Sequence, residues 1–91
     1  MPKRIDFSKK FDKQFKKSPL EIKIAFKKRI KLFIQDPLDP QLRNHPLRGV
    51  LQGYKSINIT GDWRALYNEF KEREEIIVVF EMLGKHSQLY K

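Results

Sequence analysis

Three polar side chains in the second half of the chain have the chemistry to act on a phosphodiester. His86 lies in the segment Leu83–Tyr90, and a histidine can gain and lose a proton near neutral pH, as phosphodiester cleavage requires. Arg64 and Lys85 can hold a phosphate and offset the charge that develops on its oxygens. None of these residues is specific alone, because a single histidine near a strand end is often a structural residue that only forms hydrogen bonds.

Aromatic side chains offer a second kind of contact with RNA. They could stack on unpaired bases, which is the usual way in which proteins read single-stranded RNA. The candidates are Tyr54, Trp63, Tyr67 and Tyr90. Side chains alternate along a strand, so Trp63 and Tyr67 share one face of a predicted strand. At least one of the two is therefore expected in the core.

Other catalytic chemistries find little support in the sequence. The chain has no cysteine, and its two histidines do not form the H-x-x-x-H or H-E-x-x-H spacing of a zinc site. Its four glycines form no phosphate-binding loop, and no G-x-S-x-G segment occurs. The acidic residues between positions 69 and 75 surround a predicted turn, where they favour the solubility of a hairpin. No metal and no cofactor are expected.

The net charge of +9 is concentrated in the first half of the chain. Residues 1–45 contain 13 basic and 5 acidic side chains, whereas residues 46–91 contain 7 and 6. A surface of this sign favours polyanions, with nucleic acid first and an anionic membrane or an acidic protein as alternatives. The simpler interpretation is that the lysines only keep the helices well solvated.

The composition predicts a single folded domain over residues 1–91. With 40% hydrophobic residues, the chain is too apolar for a disordered basic tail, and its length suits one core. The N-terminal segment lacks the apolar stretch of a signal peptide. No stretch approaches the ~20 apolar residues of a membrane span. We therefore expect a cytoplasmic protein without a membrane segment.

Two helices are predicted in the first half, after a short strand over residues 3–7. The first helix is predicted because Phe7, Phe11 and Phe15 recur every four residues. It is expected to begin after Ser8, which can serve as its N-cap. The second is predicted to begin with an N-cap at Ser18 that is followed by a proline and by the glutamate of a capping box. Its apolar seam consists of Ile22, Phe26, Ile30 and Phe33. It is expected to end before Pro37.

The second half alternates between apolar and polar residues and predicts strands. Residues 36–52 are predicted to form an ordered connecting loop. Residues 54–59 and 63–70 form a predicted hairpin around Thr60-Gly61. Residues 75–83 contain five consecutive apolar side chains, which indicates a central strand covered on both faces. The expected class is α+β, with an N-terminal strand and a helical hairpin packed on an antiparallel sheet of about four strands.

Three segments resemble the RelE/ParE superfamily of bacterial toxin-antitoxin systems, and within it the RelE/YafQ branch. They are His45–Gly49 (H-P-L-R-G), Gly61–Tyr67 (G-D-W-R-A-L-Y) and Leu83–Tyr90 (L-G-K-H-S-Q-L-Y). The resemblance spans nearly the whole chain. It implies a β-α-α-β-β-β toxin that cleaves mRNA, usually in the ribosomal A site. It also implies a cognate antitoxin that holds the toxin inactive in a hetero-oligomer.

The resemblance implies roles for five residues. His86 matches the catalytic histidine, and Tyr90 matches the aromatic residue that closes the same motif. His45 and Asp62 match active-site residues of the YafQ-like branch. Arg64 matches an arginine that contacts the scissile phosphate.

One position departs from the family pattern. Asn58 stands where the pattern has another histidine, which leaves fewer titrating groups and leaves the division of acid and base roles open. Asn58, Lys85 and Tyr67 are further candidates for substrate binding.

The reaction implied is attack of a ribose 2′-OH on the adjacent phosphorus, which needs neither metal nor cofactor. His86 is the expected general acid, with Arg64 and Lys85 on the phosphate, and Asp62 or His45 as base or orienting group. The lysine-rich helices would bind ribosomal RNA through Lys9, Lys13, Lys23, Lys27 and Lys31.

Three other classes of function remain open. A module that only binds a partner protein is partly compatible with the toxin interpretation, since an antitoxin is expected to cover the basic surface. A relative of the ParE branch would poison DNA gyrase without cleaving RNA, and would have no use for a histidine at position 86. A non-catalytic RNA-binding module would share the charge asymmetry, but would have no reason to assemble His86, Arg64 and Tyr90 at one end of a sheet.

Overall fold

The computed structural model describes residues 4–90 and combines a helical hairpin with a sheet. The elements are β1 (Arg4–Phe7), α1 (Lys9–Lys17), α2 (Leu20–Gln35), β2 (His45–Pro46), β3 (Lys55–Asn58), β4 (Trp63–Glu72), β5 (Glu75–Lys85) and α3 (His86–Leu89). Short 3₁₀ turns occupy Pro40–Leu42 and Gly49–Leu51. The α+β class and the order of the main elements are confirmed. Lys3, the first residue of the predicted N-terminal strand, lies outside the described residues.

The sheet has five strands in the order β1-β5-β4-β3-β2. Three neighbouring pairs are antiparallel, but β1 pairs with β5 in parallel, with Arg4 opposite Ile77. The sheet therefore differs from the prediction of about four antiparallel strands in two respects: it has five strands, and one pair is parallel. Alternation along a strand is the same for either direction of its neighbour, so it could not reveal the parallel pair. The added strand, β2, is only two residues long and shows no pattern.

The predicted central strand, β5, is paired on both sides, with β1 and with β4. Its neighbouring residues Ile77 and Val78 point to opposite faces of the sheet, and both are buried. This confirms that the consecutive apolar residues belong to a strand covered on both faces.

The two predicted helix caps have different outcomes. Ser8 Oγ accepts a hydrogen bond from the Phe11 backbone N–H at 3.0 Å and caps α1 as predicted. Ser18 does not cap α2, which has no side-chain hydrogen bond at its N-cap. The Ser18 hydroxyl instead donates to the Gln14 carbonyl of α1 at 2.7 Å. The last carbonyls of a helix lack partners within the helix, and Ser18 supplies a donor for one of α1. The helix α2 therefore begins at Leu20, with Pro19 as its N-cap residue and without the predicted capping box.

Aromatic rings join the helices to one face of the sheet. Phe11 and Phe26 of the helices lie 5.2 Å apart between ring centroids, and Phe26 meets Phe80 of β5 at 5.7 Å in an edge-to-face arrangement. Phe33 meets Tyr67 of β4 at 5.1 Å. This packing leaves the opposite face of the sheet uncovered by α1 and α2. In the part of the chain that the structure describes, no helix is long and apolar enough to cross a membrane.

Candidate active site

The face of the sheet opposite α1 and α2 carries a cleft of about 420 Å³. It is lined by Arg43, His45, Leu47, Asn58, Arg64, His86 and Tyr90. Five of these residues are candidates from the sequence, and they come from all three segments of the family resemblance and from β3. The fold therefore assembles two histidines, an arginine and an aromatic ring that are far apart in the chain.

His86 is placed by a sharp change from strand to helix. β5 ends at Lys85, and the four-residue helix α3 begins at His86. The His86 backbone N–H donates to the Asp62 carbonyl at 2.8 Å, which ties the start of α3 to the turn between β3 and β4. The Lys85 backbone N–H donates to Gln88 Oε1 at 3.0 Å.

Gly84 permits this close packing of α3 on the end of β5. A Cβ at Gly84 would lie 3.2 Å from Gln88 Oε1 and 3.4 Å from Leu89 Cδ2. The absence of a side chain at this position therefore lets α3 fold back onto the sheet with His86 at the cleft.

The Tyr90 ring packs against the imidazole of His86. The ring centroids are 4.4 Å apart and the ring planes meet at 60°. The Tyr90 hydroxyl donates to Ser56 Oγ on β3 at 3.0 Å. The aromatic residue of the last motif is thus fixed at both ends, by the sheet and by the histidine.

Arg64 is anchored through one of its terminal nitrogens. Its Nη1 group lies 3.1 to 3.2 Å from the carbonyl oxygens of Thr60, Gly61 and Trp63. Among residues 4–90, no acceptor binds its Nε or Nη2 hydrogens, so these donors can bind an anion in the cleft. Arg64 lies directly opposite Asn58 in the ladder between β3 and β4. The pair therefore places a charged and a neutral donor side by side.

The position of His45 determines which of its nitrogens carries the proton. His45 Nδ1 lies 2.7 Å from the Arg43 carbonyl oxygen. A carbonyl oxygen only accepts, so Nδ1 is the protonated nitrogen. In the neutral imidazole, Nε2 is then the unprotonated nitrogen and can take up a proton.

The loop before β2 is held from the core side of the sheet. Tyr67 OH donates to Asn44 Oδ1 at 2.9 Å, and Asn44 Nδ2 donates to the Pro37 carbonyl at 3.0 Å. Burial raises the pKa of Tyr67 from 10.0 to about 12, so its hydroxyl remains a donor well into alkaline pH. This network fixes the residue next to His45.

Tyr67 is not part of the cleft, and its predicted role in stacking on substrate is corrected. Its side chain is 1% exposed and packs in the core against Phe33. The alternation along β4 turns it to the face that α1 and α2 cover, where no nucleotide can reach it. The expectation that Trp63 or Tyr67 belongs to the core is confirmed by Tyr67.

Two other candidates lie beside the cleft without lining it. Asp62 is exposed in the turn before β4, and its backbone carbonyl contributes to the site by holding the N–H of His86. Lys85 is exposed at the end of β5, and its side chain is not among those that line the cleft.

The lysines predicted to bind ribosomal RNA lie on α1 and α2, on the other side of the sheet from the cleft. They are Lys9, Lys13, Lys23, Lys27 and Lys31. The structure therefore separates the basic helical surface from the cleft and does not bring these lysines to the proposed chemistry.

The sequence reasoning missed three residues of the site. Arg43 and Leu47 line the cleft from the segments that flank β2. Ser56 is fully buried behind Tyr90. The alternation of side chains along β3 could have indicated Ser56, because it places Ser56 on the same face as Asn58.

No group of three or more metal-ligating side chains comes together within residues 4–90. The two histidines of the cleft are accompanied there by an asparagine, two arginines, a leucine and a tyrosine rather than by carboxylates. Such a donor set suits proton transfer and anion binding better than a metal site.

Comparisons with known proteins give a consistent family. Residues 3–91 match the family described as the bacterial toxin of type II toxin-antitoxin systems, YafQ. The crystal structure of YafQ from E. coli strain BL21(DE3) is 26% identical, with 96% of this chain and 97% of that chain covered and a TM-score of 0.72. No curated protein matches the chain in sequence.

Two further solved structures are similar. YafQ in the E. coli DinJ-YafQ toxin-antitoxin complex is 26% identical, with 96% of each chain covered and a TM-score of 0.69. A metal-bound toxin from Helicobacter pylori is 30% identical, with 94% of this chain and 97% of that chain covered and a TM-score of 0.66. Because the family match extends over nearly the whole sequence, this chain belongs to the YafQ family of bacterial type II toxins.

Proposed function

We propose that the protein is an endoribonuclease that cleaves mRNA and thereby inhibits translation. The observation that carries this proposal is the cleft in which His45, His86 and Arg64 meet. Cleavage of RNA by its own 2′-OH needs one group to accept a proton, one to donate a proton and one to stabilise the phosphate charge. The cleft supplies a side chain for each of these tasks.

We assign the roles from the position and the contacts of each residue in the cleft. His45 presents an unprotonated Nε2 in its neutral form, and takes the proton of the ribose 2′-OH as the oxygen attacks phosphorus. The bond from phosphorus to the 5′-oxygen breaks, and His86 donates a proton to that leaving oxygen. The products are a 2′,3′-cyclic phosphate and a free 5′-OH. Arg64 binds the phosphate with its Nε and Nη2 donors.

This assignment narrows the choice between His45 and Asp62 as the base. His45 lines the cleft, whereas Asp62 contributes its backbone carbonyl from the neighbouring turn. Asn58, beside Arg64 in the sheet, would donate to a phosphate or base oxygen. Lys85 would add positive charge at the rim of the cleft.

We further propose that the toxin acts in the cytoplasm, on mRNA in the ribosomal A site. The lysines of α1 and α2 would contact ribosomal RNA while the opposite face of the sheet contacts mRNA. A related toxin forms a complex with its antitoxin DinJ. By this similarity, a cognate antitoxin would bind and inhibit the present toxin in a hetero-oligomer.

The experiment is induced expression followed by mapping of mRNA 5′ ends. We expect discrete cuts within translated codons for the wild type and none above background for His86→Gln, because losing a general acid costs ~10² to 10⁴ in rate. Ser87→Ala is the matched control, since Ser87 is the exposed neighbour on α3. Purified toxin with ribosomes should leave 2′,3′-cyclic phosphate ends.

Two outcomes would contradict the proposal. Cuts that persist in His86→Gln would remove the histidine from the chemistry. Growth arrest with altered DNA supercoiling and intact mRNA would favour a gyrase poison of the ParE type. Circular dichroism of the purified variants shows whether each retains the fold.

A further inference from the structure

Ser56 is a buried polar residue on the face of the sheet that carries the cleft. Its side chain is 0% exposed, and its Oγ accepts the hydrogen bond of Tyr90 OH at 3.0 Å. In the sheet it lies opposite His45 of β2 on one side and opposite Leu66 of β4 on the other. Ser56 is therefore linked to both histidines, to His45 across the ladder and to His86 through Tyr90.

The C-terminal helix α3 needs such an attachment. A helix of four residues has no stability of its own, since isolated helices shorter than about 12 residues are marginal in water. The backbone contacts at its start fix where the helix begins, through His86 N–H and Lys85 N–H. They do not fix the direction of the Tyr90 side chain at the other end, which rotates about its own torsion angles.

The hydrogen bond to Ser56 determines that direction. With its hydroxyl held on β3, the Tyr90 ring packs on the imidazole of His86, with 4.4 Å between the ring centroids. The ring in turn limits how the His86 imidazole can rotate. Both rings are accessible from the cleft, whereas Ser56 lies behind them.

We propose that Ser56 is a positioning residue that orients the His86 imidazole through the hydroxyl and the ring of Tyr90. The structural part of this inference stands on the three contacting groups alone. Its consequence for catalysis rests on the proposed function, in which His86 is the general acid. Ser56 does not touch the RNA and acts only through Tyr90.

The structural part is tested by NMR of the full-length protein without RNA. A tyrosine ring this close to an imidazole shifts the resonances of the imidazole protons. We expect Ser56→Ala and Tyr90→Phe to move the His86 resonances by the same amount, toward their positions in Tyr90→Leu, which lacks the ring. The double variant Ser56→Ala/Tyr90→Phe should match either single variant, because each removes the same hydrogen bond. Wild-type His86 resonances in Ser56→Ala would overturn the proposal.

The catalytic part is tested by RNA cleavage with the wild type, Ser56→Ala, Tyr90→Phe and the double variant. Loss of one neutral hydrogen bond predicts a fall in kcat of about 3- to 10-fold in both single variants, with no further fall in the double variant and no change in KM. Effects that multiply in the double variant would show that Ser56 and Tyr90 act separately and would overturn the positioning role. If the wild type does not cleave RNA although the His86 resonances respond as expected, the proposed function fails while the structural inference stands.

Discussion

The two faces of the sheet are built in different ways. On the face that α1 and α2 cover, rings of Phe11, Phe26 and Phe80 pack within 5 to 6 Å of one another. On the cleft face, a two-residue strand, a loop and a four-residue helix are held by a few hydrogen bonds, such as those from Tyr90 OH to Ser56 and from His86 N–H to Asp62. The covered face therefore carries most of the stability, whereas the cleft face carries the proposed chemistry and can be changed at little cost to the fold.

The largest effect expected on the covered face is that of Phe80→Ala. Phe80 is 0% exposed and contacts rings from both helices. Its truncation should lower the free energy of unfolding by about 3 to 5 kcal/mol, measured by urea titration. The control is Phe70→Ala on β4, where the side chain is 52% exposed and the loss should stay below about 1 kcal/mol. Equal losses at the two positions would show that the core does not depend on this cluster.

A second prediction concerns the stability at alkaline pH and Tyr67, a core residue whose hydroxyl also holds the loop before β2. The pKa of Tyr67 rises from 10.0 in its ordinary state to about 12 in the fold, because burial disfavours the phenolate. Above pH 10 the unfolded chain loses this proton while the folded chain keeps it. The stability is therefore fully present below pH 10, and about 2 to 3 kcal/mol of it is lost as the pH rises toward 12.

The measurement for Tyr67 is urea titration at several pH values between 9 and 12. Other groups also titrate in this range, so the comparison is with Tyr67→Phe, which should show a shallower loss over the same range. Parallel pH dependence in the two proteins would mean that the Tyr67 hydroxyl is not held protonated by the fold.

A third prediction separates the two faces by their binding partners. Reversing two charges on the helical face, in Lys13→Glu/Lys27→Glu, should weaken association with ribosomes by about tenfold or more at low salt. The slope of log affinity against log salt concentration should fall by about 0.7 to 0.9 for each lysine that contacts a phosphate. Lys71→Glu, at the tip of the β4–β5 hairpin, is the control. Unchanged affinity of the double variant in sedimentation assays would place the ribosomal contact elsewhere.

The covered face could be predicted from the sequence because its elements are long and periodic. The four-residue spacing of Phe7, Phe11 and Phe15 indicated α1, and the apolar residues around Val78 indicated β5. These patterns report burial directly, since each element turns one face to the core.

The sequence predicted most of the residues that form the cleft, but only part of their arrangement in space. The family resemblance brought His45, Arg64 and His86 together, and the structure places all three at one cleft. Alternation does not say which face of β4 the helices cover, so it could not assign Tyr67 to the core. The short elements β2 and α3 depend on contacts between distant residues and leave no periodic signal.

The smallest change in the free energy of unfolding is expected for Gly84→Ala. This substitution tests whether the cleft face can be altered without loss of the stability that the covered face supplies. In Gly84→Ala the new Cβ would lie 3.2 Å from Gln88 Oε1, so the Gln88 side chain must give way by a few tenths of an ångström. Replacing a glycine also restricts the unfolded chain, which stabilises by about 0.4 to 1 kcal/mol and offsets the cost of the contact. The free energy of unfolding should therefore change by less than about 1 kcal/mol.

The rate of RNA cleavage is expected to be more sensitive than the free energy of unfolding to a small displacement near Gly84. Gln88 Oε1 accepts the hydrogen bond of the Lys85 N–H at the start of α3, so a displaced Gln88 side chain loosens the placement of His86. We therefore expect kcat to fall a few-fold. The double variant Gly84→Ala/Gln88→Ala removes the crowded oxygen, although it also removes the acceptor for the Lys85 N–H. Gly61→Ala adds a methyl group in open space and serves as the control for stability. If Gly84→Ala lowered stability by several kcal/mol, α3 would be part of the cooperative core, and the cleft face would not be energetically separate from the covered face.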